Sequence, residues 1–177
     1  MLTNSEIPLS AWVRRFAPLI APGGRVLDLA AGAGRHTRLL LDMGLTVEAV
    51  DRDTTALLPL AGPRCTVRAV DLETGEPWPL GDGYDGIVVT NYLFRPLLPA
   101  IMAVLGEGGM LIYETFMLGN EHFGRPRNPE FLLRPGELLV ACAGLTIVAF
   151  EQGEVTAPRP AMIQRIAARK GPVGTLP

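Results

Sequence analysis

The sequence has few cysteines and no cluster of metal-binding side chains. Its two cysteines, Cys65 and Cys142, are far apart, and neither belongs to a CxxC motif or a His/Cys cluster. A disulfide framework needs several cysteines, and a zinc site needs Cys or His residues at short spacings. The sequence therefore predicts neither a disulfide nor a metal site. Both cysteines are expected to be small buried side chains.

A large excess of charge of either sign is also missing. The 16 Lys and Arg residues nearly balance the 18 Asp and Glu residues, which gives a formal net charge of −2. Proteins that attract nucleic acids or anionic lipids present strongly basic surfaces, so neither partner is expected. The expected partner is a small-molecule substrate. The sequence gives no indication of the oligomeric state.

A long apolar segment is absent as well. No apolar run reaches the roughly 18 residues that a membrane-spanning helix needs, so no membrane is expected among the partners. The first 16 residues carry an acid before their basic residues, which is the reverse of a secretory signal peptide. We therefore expect a cytoplasmic protein. The 177 residues contain no Pro- or Gly-rich linker and predict one domain, 1–177.

The sequence does contain a regular alternation of strand-like and helical segments. Short apolar runs predict five buried strands at 25–29, 46–50, 65–70, 84–90 and 110–116. Helical spacing and end signals predict helices at 10–20, 35–43, 54–60, 96–105 and 135–143. Two further β-like segments, joined by a proline-rich connection, predict a closing antiparallel hairpin at 145–154 and 161–170. This pattern is typical of an α/β fold, Rossmann-like and doubly wound, with a mostly parallel sheet.

A glycine-rich turn follows the first strand. Gly32 and Gly34 precede the second helix, where backbone N–H groups and the helix dipole favour a negatively charged ligand. In a dinucleotide-binding GxGxxG fingerprint the third glycine would stand at Thr37, so NAD is disfavoured. No Gly-Lys-Ser/Thr follows the turn, which excludes a P-loop.

The stretch VLDLAAGAGRHT resembles motif I of the class I S-adenosylmethionine-dependent methyltransferases, through Asp28, Ala30, Gly32 and Gly34. The resemblance spans nearly the whole chain. It implies a seven-stranded sheet of order 3-2-1-4-5-7-6 and S-adenosylmethionine as the cofactor. It also implies that Asp51, at the end of the second strand, accepts hydrogen bonds from both ribose hydroxyls.

The resemblance and the strand ends together give a set of candidate site residues. The candidate cofactor-binding residues are Asp28, Ala30, Gly32, Gly34, Arg35, His36, Asp51, Arg52, Asp71, Leu72 and Asn91. Ligands of open α/β sheets bind at the carboxyl ends of strands, which makes Tyr113 and Glu114 the candidate catalytic residues. The candidate substrate-binding residues are Tyr92 and two arginines in or beside a functional loop at 119–133, Arg125 and Arg134.

Two positions depart from the family pattern. Ala30 stands where a first glycine is common, and we expect alanine to keep ordinary dihedrals there, at some cost in cofactor affinity. Residues 88–100 and 108–139 also resemble a small bacterial subgroup related to the tellurite-resistance type. In that subgroup a histidine is common where Phe94 stands, which puts a role for this position in doubt.

The resemblance implies methyl transfer to a small soluble nucleophile at O, N, S or a metalloid oxyanion. Such a reaction needs mainly alignment and exclusion of water, so a dedicated base is not required. Asn91 is not followed by Pro-Pro-Tyr, which weighs against a flipped nucleobase as acceptor. Two alternatives stay open: a non-catalytic relative that binds the cofactor or serves as a scaffold, and, more weakly, an NAD-dependent dehydrogenase.

Overall fold

The computed structural model describes residues 8–172. Within them the strands are β1 Arg25–Leu29, β2 Thr46–Asp51, β3 Cys65–Ala69, β4 Tyr84–Thr90, β5 Leu105–Phe116, β6 Thr146–Val155 and β7 Ala161–Arg169. The α-helices are α1 Ala11–Phe16, α2 Arg35–Asp42, α3 Leu98–Val104 and α4 Glu137–Ala141. None of the helices in this part of the chain is both long enough and apolar enough to cross a membrane.

All seven strands belong to one sheet, in the order β3-β2-β1-β4-β5-β7-β6. The first five are parallel, whereas β7 is antiparallel to both β5 and β6. The predicted topology and the predicted hairpin are therefore confirmed. Because parallel strands end at the same edge, the carboxyl ends of β1, β2, β3, β4 and β5 converge on one side of the molecule.

The central strands are apolar because both of their faces are covered. Val26 and Leu27 point to opposite faces of β1, and both are fully buried. One face packs in a cluster with Trp12 and Phe16 of α1, and the other packs in a cluster with Ile101 of α3. Full burial of such a side chain contributes roughly 1.5–3 kcal/mol, so these layers supply much of the stability.

The first predicted helix ends early and the segment predicted as helix at 54–60 forms no α-helix, and a proline lies at each difference. α1 begins after Ser10, whose Oγ accepts hydrogen bonds from the backbone N–H groups of Trp12 and Val13 at 3.1 and 3.2 Å. It ends at Phe16 and passes into a 3₁₀ turn that contains Pro18, which has no N–H to donate. The segment predicted as helix at 54–60 consists of turns and a 3₁₀ turn that contains Pro59.

The segment 106–109 lies between the predicted helix at 96–105 and the predicted strand at 110–116, and its three glycines predict a turn, but it is part of β5. Leu105 already pairs with Tyr84, and the register shifts before Met110 pairs with Gly86. A Cβ on Gly109 would lie 2.7 Å from the carbonyl oxygen of Tyr84, so the bulged strand needs a residue without a side chain here. The glycines that suggested a turn instead allow two backbones to approach closely.

The loop at 119–133 is tied down by buried polar side chains. Asn120 donates from Nδ2 to the carbonyl oxygen of Pro126 at 3.1 Å and accepts from the N–H of Met162 at 3.2 Å. Arg95 forms a two-point ion pair with Glu137, at 2.6 and 3.0 Å. It also donates to the backbone carbonyl oxygens of Glu130 and Leu132, at 2.7 and 2.8 Å. The loop is therefore held against the carboxyl edge of the sheet.

Candidate functional site

Three adjoining cavities lie at the carboxyl edge of the sheet. The turn cavity, about 220 Å³, lies over the segment 30–33 after β1 and is bounded by Asp51 and Asn91. The strand-end cavity, about 310 Å³, shares Asp51 with it and extends to Asp71 after β3. The hairpin cavity, about 340 Å³, shares Asn91 with the turn cavity and extends to β7.

The turn after β1 owes its shape to three residues in the left-handed region. Ala30, Gly32 and Gly34 have φ values of 54°, 56° and 75°. A Cβ on Gly34 would lie 2.6 Å from Cδ1 of Leu60 and 2.9 Å from Cδ2 of Leu57, so a side chain there would also displace the ends of these two leucines. The expectation that Ala30 keeps ordinary dihedrals is wrong. The turn forces this alanine into a conformation that costs L-residues roughly 1–2 kcal/mol.

Asp51 joins the turn cavity to the strand-end cavity. Its Oδ2 accepts a hydrogen bond from the N–H of Gly32 at 2.8 Å, and its Oδ1 accepts from the N–H of Asp53 at 3.1 Å. These bonds orient the carboxylate, and each oxygen keeps a further lone pair. Asp51 can therefore hold the turn and still accept hydrogen bonds from a ligand in either cavity.

The strand-end cavity combines acidic and apolar walls. Asp71 accepts a hydrogen bond at Oδ1 from the N–H of Glu73 at 2.9 Å, and Leu72 beside it is buried. Phe131 forms part of another wall, with 47% of its surface exposed. Arg52 also lines this cavity. Phe131 escapes sequence reasoning because it is sixty residues from Asp71 and reaches the cavity only through the anchored loop.

Asp28 lies beneath the turn and lines none of the three cavities. The hydroxyl of Thr37 donates to its Oδ2 at 2.5 Å. Burial raises the pKa of the Asp28 carboxyl to about 6, and the bond from Thr37 opposes part of this rise. Direct contact of Asp28 with the cofactor is thus not supported. Its carboxyl tethers the first turn of α2 to the end of β1.

His36 is buried, and it too lines none of these cavities. Its Nε2 accepts a hydrogen bond from the N–H of Ser10 at 3.2 Å, and its Nδ1 lies 3.3 Å from Oγ1 of Thr90. Burial, together with the charge of Arg35, lowers the pKa of His36 to about 3. The ring is therefore neutral, and Nδ1 carries the proton toward Thr90. His36 connects α1 to the central sheet, and its predicted contact with a cofactor stays a prediction.

Tyr113 and Glu114 point to opposite sides of β5, as neighbouring residues of a strand do. Tyr113 is fully buried and donates from its hydroxyl to the carbonyl oxygen of Tyr92 at 2.8 Å. The same burial raises the pKa of this hydroxyl. Tyr113 lines none of the cavities, so its predicted catalytic role is not supported. It supports the backbone of Tyr92, which does line the turn and strand-end cavities.

Glu114 lies in the wall of the hairpin cavity, and each of its carboxylate oxygens accepts one hydrogen bond. Its Oε1 accepts a hydrogen bond from the hydroxyl of Ser10 at 2.8 Å, and its Oε2 accepts from Arg165 at 3.1 Å. Arg165 also bonds to Glu151 at 2.5 and 2.9 Å, and its guanidinium lies 4.7 Å from the centre of the Trp12 ring. This network joins α1, β5 and the hairpin.

Arg35 stands between the turn cavity and the hairpin cavity and lines both. Its guanidinium is half-buried, and its Nη2 donates a long hydrogen bond of 3.4 Å to Oγ1 of Thr90. Burial lowers the pKa of this guanidinium, against the opposing effect of Glu114. Among residues 8–172, Arg35 forms no ion pair within 4.0 Å.

The predicted loop arginines lie away from the cavities. Arg125 and Arg134 are exposed and line none of the three, so their predicted role in substrate binding is not supported. The loop packs so that its backbone bonds to Arg95, and this turns both side chains to the surface. The arginines that reach the hairpin cavity, besides Arg35, are Arg159 and Arg165. Sequence offered one signal for Arg165: in an antiparallel hairpin beside β5 it can pair with Glu114 across the strands.

Two further positions, Asn91 and Phe94, lie in different surroundings. Asn91 has φ of 55°, which asparagine tolerates better than most residues, and it lines both the turn and hairpin cavities. Phe94 is partly buried and packs against the core cluster that contains Tyr113. Within the described chain, no three His, Cys, Asp or Glu side chains come together in a way that could hold a metal ion.

Solved structures of known proteins share this architecture. No family model and no curated protein matches the sequence. TehB from Haemophilus influenzae superposes with a TM-score of 0.74 at 20% identity, over 92% of this chain and 63% of that one. This chain has the fold of the class I methyltransferases. It spans less than two thirds of the TehB chain.

Two further structures with the class I methyltransferase fold are similar. One is the 1,6-didemethyltoxoflavin-N1-methyltransferase of Burkholderia thailandensis, solved with S-adenosylhomocysteine bound, with a TM-score of 0.67 and 22% identity over 92% of this chain and 79% of that one. The other is the [4+2]-cyclase SpnF, with a TM-score of 0.65 and 16% identity over 91% of this chain and 81% of that one. The methyltransferase fold therefore includes a neighbour that is named for a different reaction.

Proposed function

We propose that this protein is an S-adenosylmethionine-dependent methyltransferase that acts on a small soluble nucleophile. The observation that carries the proposal is the bond from Gly32 N–H to Asp51 at 2.8 Å, which joins the glycine turn and the second strand end into one wall shared by two cavities. A ligand that has both a nucleoside and an amino-acid end suits this pair of connected cavities.

The residues around the two cavities fit such a cofactor. Asp51 keeps lone pairs for ribose hydroxyls, and Leu72 and Phe131 offer apolar surface to an adenine ring. Tyr92 lines both cavities, and its hydroxyl is buried near Glu73 without a hydrogen bond of 3.5 Å or less among residues 8–172. The turn at Gly32 would lie against the amino-acid end, with Arg35 and Asn91 beside it.

The bound cofactor would supply an electrophilic methyl group on a sulfonium. The contribution of this chain is to orient the acceptor and to exclude water. The hairpin cavity opens beside Arg35 and Asn91, which it shares with the turn cavity, so an acceptor there would meet the amino-acid end of the cofactor. Glu114 lines that cavity and accepts one hydrogen bond at each oxygen, from Ser10 and from Arg165, which holds α1 and β7 in place.

Calorimetric titration tests the proposal directly. S-adenosylmethionine and S-adenosylhomocysteine should each bind with one site per chain, and NAD should not compete. Absence of binding at millimolar concentrations of both compounds would overturn the proposal. Tight binding of NAD instead would favour a dehydrogenase.

A second candidate is a relative that binds the cofactor without transferring its methyl group. The likeness to the [4+2]-cyclase SpnF favours this candidate, because the same fold there carries another activity in its name. Cofactor binding without turnover across a broad panel of O, N and S nucleophiles would support this alternative.

A further inference from the structure

The charge of Arg35 is poorly compensated for its position. The guanidinium is half-buried, its nearest polar partner is the neutral hydroxyl of Thr90 at 3.4 Å, and it has no ion pair among the described residues. A cation removed from water without a partner costs free energy, which an anion in either adjoining cavity would recover. Arg35 lines both cavities and has five N–H donors, so it can meet the carboxylate of the cofactor from the turn cavity and a second anionic group from the hairpin cavity.

The other charges of the hairpin cavity do not fill this role. Glu114 is already bound to Ser10 and Arg165, and Arg165 is shared with Glu151. Arg159, which lines the opposite part of the cavity, adds a second positive charge. After these pairings the hairpin cavity presents two cations, Arg35 and Arg159, to a ligand.

Most side chains that could act as a base are withheld from the junction. His36 is buried and bound on both ring nitrogens, Tyr113 lies on the other face of β5, and the carboxylate of the hairpin cavity, Glu114, is ion-paired with Arg165. An acceptor such as an alcohol or an ammonium group would need to lose a proton during transfer. A carboxylate needs no such help, because it is already ionised at neutral pH.

The remaining walls of the hairpin cavity are apolar. Phe116, Val155 and Ile163 line it, together with the side chain of Leu9. An inorganic oxyanion would leave these surfaces against polar oxygens, whereas a hydrocarbon body would bury them. A cavity of about 340 Å³ is large enough for an organic acid with a single ring.

We propose that the acceptor is a small organic acid with an apolar body, held by its carboxylate on Arg35 and methylated on a carboxylate oxygen. This inference rests on the methyltransferase function proposed above. A lone pair of the carboxylate oxygen forms the new O–CH₃ bond, and the electrons of the breaking C–S bond pass to sulfur. The products are a methyl ester and S-adenosylhomocysteine. The negative charge of the carboxylate and the positive charge of the sulfonium are both lost, and no proton is transferred.

Binding of a matched pair of probes tests the inference. Phenylacetate and phenylacetamide have nearly the same shape and differ in charge, and each is titrated into protein saturated with S-adenosylhomocysteine. Phenylacetate should bind at least about tenfold more tightly. Arg35→Gln should abolish this preference, whereas Arg14→Gln, which removes an exposed charge on α1 away from the cavities, should keep it.

The outcomes separate the inference from the proposed function. If S-adenosylhomocysteine fails to bind, the proposed function is overturned and the inference with it. If it binds but phenylacetate and phenylacetamide bind equally to the unmodified protein, only the inference is overturned. If the protein saturated with S-adenosylhomocysteine binds tellurite and does not bind phenylacetate, the inference is also overturned.

Chemical analysis of the reaction product tests the inference without any variant. With methyl-labelled S-adenosylmethionine and phenylacetate, the label should enter a product that releases methanol on mild base hydrolysis, as a methyl ester does. Label in a base-stable product would contradict methylation at the carboxylate.

Discussion

At the scale of single residues, Ala30 is the position where sequence and backbone conflict. Its φ of 54° lies in the left-handed region, and the neighbouring glycines of the turn have the same conformation without the same cost. The strain is retained because the turn is bonded on both sides, to Asp51 through Gly32 and to Val50 through the N–H of Ala31 at 3.0 Å. Sequence inspection identified the substitution of glycine by alanine and missed its conformational consequence.

We expect Ala30→Gly to stabilise the protein. Relief of roughly 1–2 kcal/mol of strain should exceed the roughly 0.5–1 kcal/mol of extra chain entropy that glycine loses on folding. The free energy of unfolding in urea should therefore rise by about 0.5–1 kcal/mol. Ala33→Gly is the matched control, because Ala33 is in the same turn without a positive φ, and it should lower the free energy of unfolding. Equal effects of the two substitutions would contradict the strain argument.

Asp51 is the residue on which the connection between the cavities depends. Asp51→Ala should weaken binding of S-adenosylhomocysteine by roughly 1.5–3 kcal/mol, the range for hydrogen bonds to a charged group, which corresponds to roughly 10- to 150-fold in the dissociation constant. Calorimetry measures the change, and circular dichroism verifies that the variant is folded. Asp42→Ala, at the exposed end of α2, is the control and should leave the dissociation constant unchanged. An unchanged constant in Asp51→Ala would place the ribose elsewhere.

At the scale of elements, the start of α2 depends on the protonation of a buried acid. The folded-state pKa of Asp28 is about 6, above its ordinary value of 3.8, because burial disfavours the charged form. The folded protein therefore holds a proton that the unfolded chain releases between about pH 4 and pH 6. Since the folded pKa is raised, the stability gained from protonation is present below about pH 4 and lost as the pH rises through 6.

Asp28→Asn should remove this pH dependence. A shift from 3.8 to about 6 corresponds to about 3 kcal/mol, so the variant should match the natural protein in stability near pH 4 and exceed it by an amount of that order at pH 7. Urea unfolding between pH 4 and pH 8 measures the difference, and Asp42→Asn serves as the surface control. A difference that stays constant across this range would show that Asp28 is ionised throughout.

Strands were easier to predict than helix ends for a physical reason. β1 and β4 are buried on both faces, so their apolar runs begin and end where burial does, and their predicted bounds match the structure. Helix ends depend on single residues, such as Pro18 after α1. Helix propensity alone does not show at which residue the helix ends. Gly109 was predicted to lie in a turn, because glycine is favoured both in tight turns and where two backbones pack closely.

At the scale of the whole molecule, the sequence predicted only those parts of the site that lie at the ends of parallel strands. The turn at Gly32, Asp51 and Asp71 each lie at or just after the end of a parallel strand, so topology alone brings them to one edge. Arg165 and Phe131 reach that edge through the antiparallel hairpin and through a loop anchored by Arg95, and neither arrangement is visible in local sequence. The hairpin cavity thus combines segments from both ends of the described chain, from Pro8 to Arg165.

This construction predicts that ligand binding stabilises the molecule as one unit. A single domain should unfold in one cooperative transition, and free S-adenosylhomocysteine at 100 times its dissociation constant should raise the free energy of unfolding by about 2.7 kcal/mol. At the same concentration Asp51→Ala should gain about 1.4 kcal/mol or less, because its binding is at least tenfold weaker. Urea unfolding followed by both tryptophan fluorescence and far-ultraviolet circular dichroism tests this. A second transition that S-adenosylhomocysteine does not shift would mean that the hairpin folds independently of the glycine turn, and the cavities between them would then lack the fixed geometry on which acceptor alignment depends.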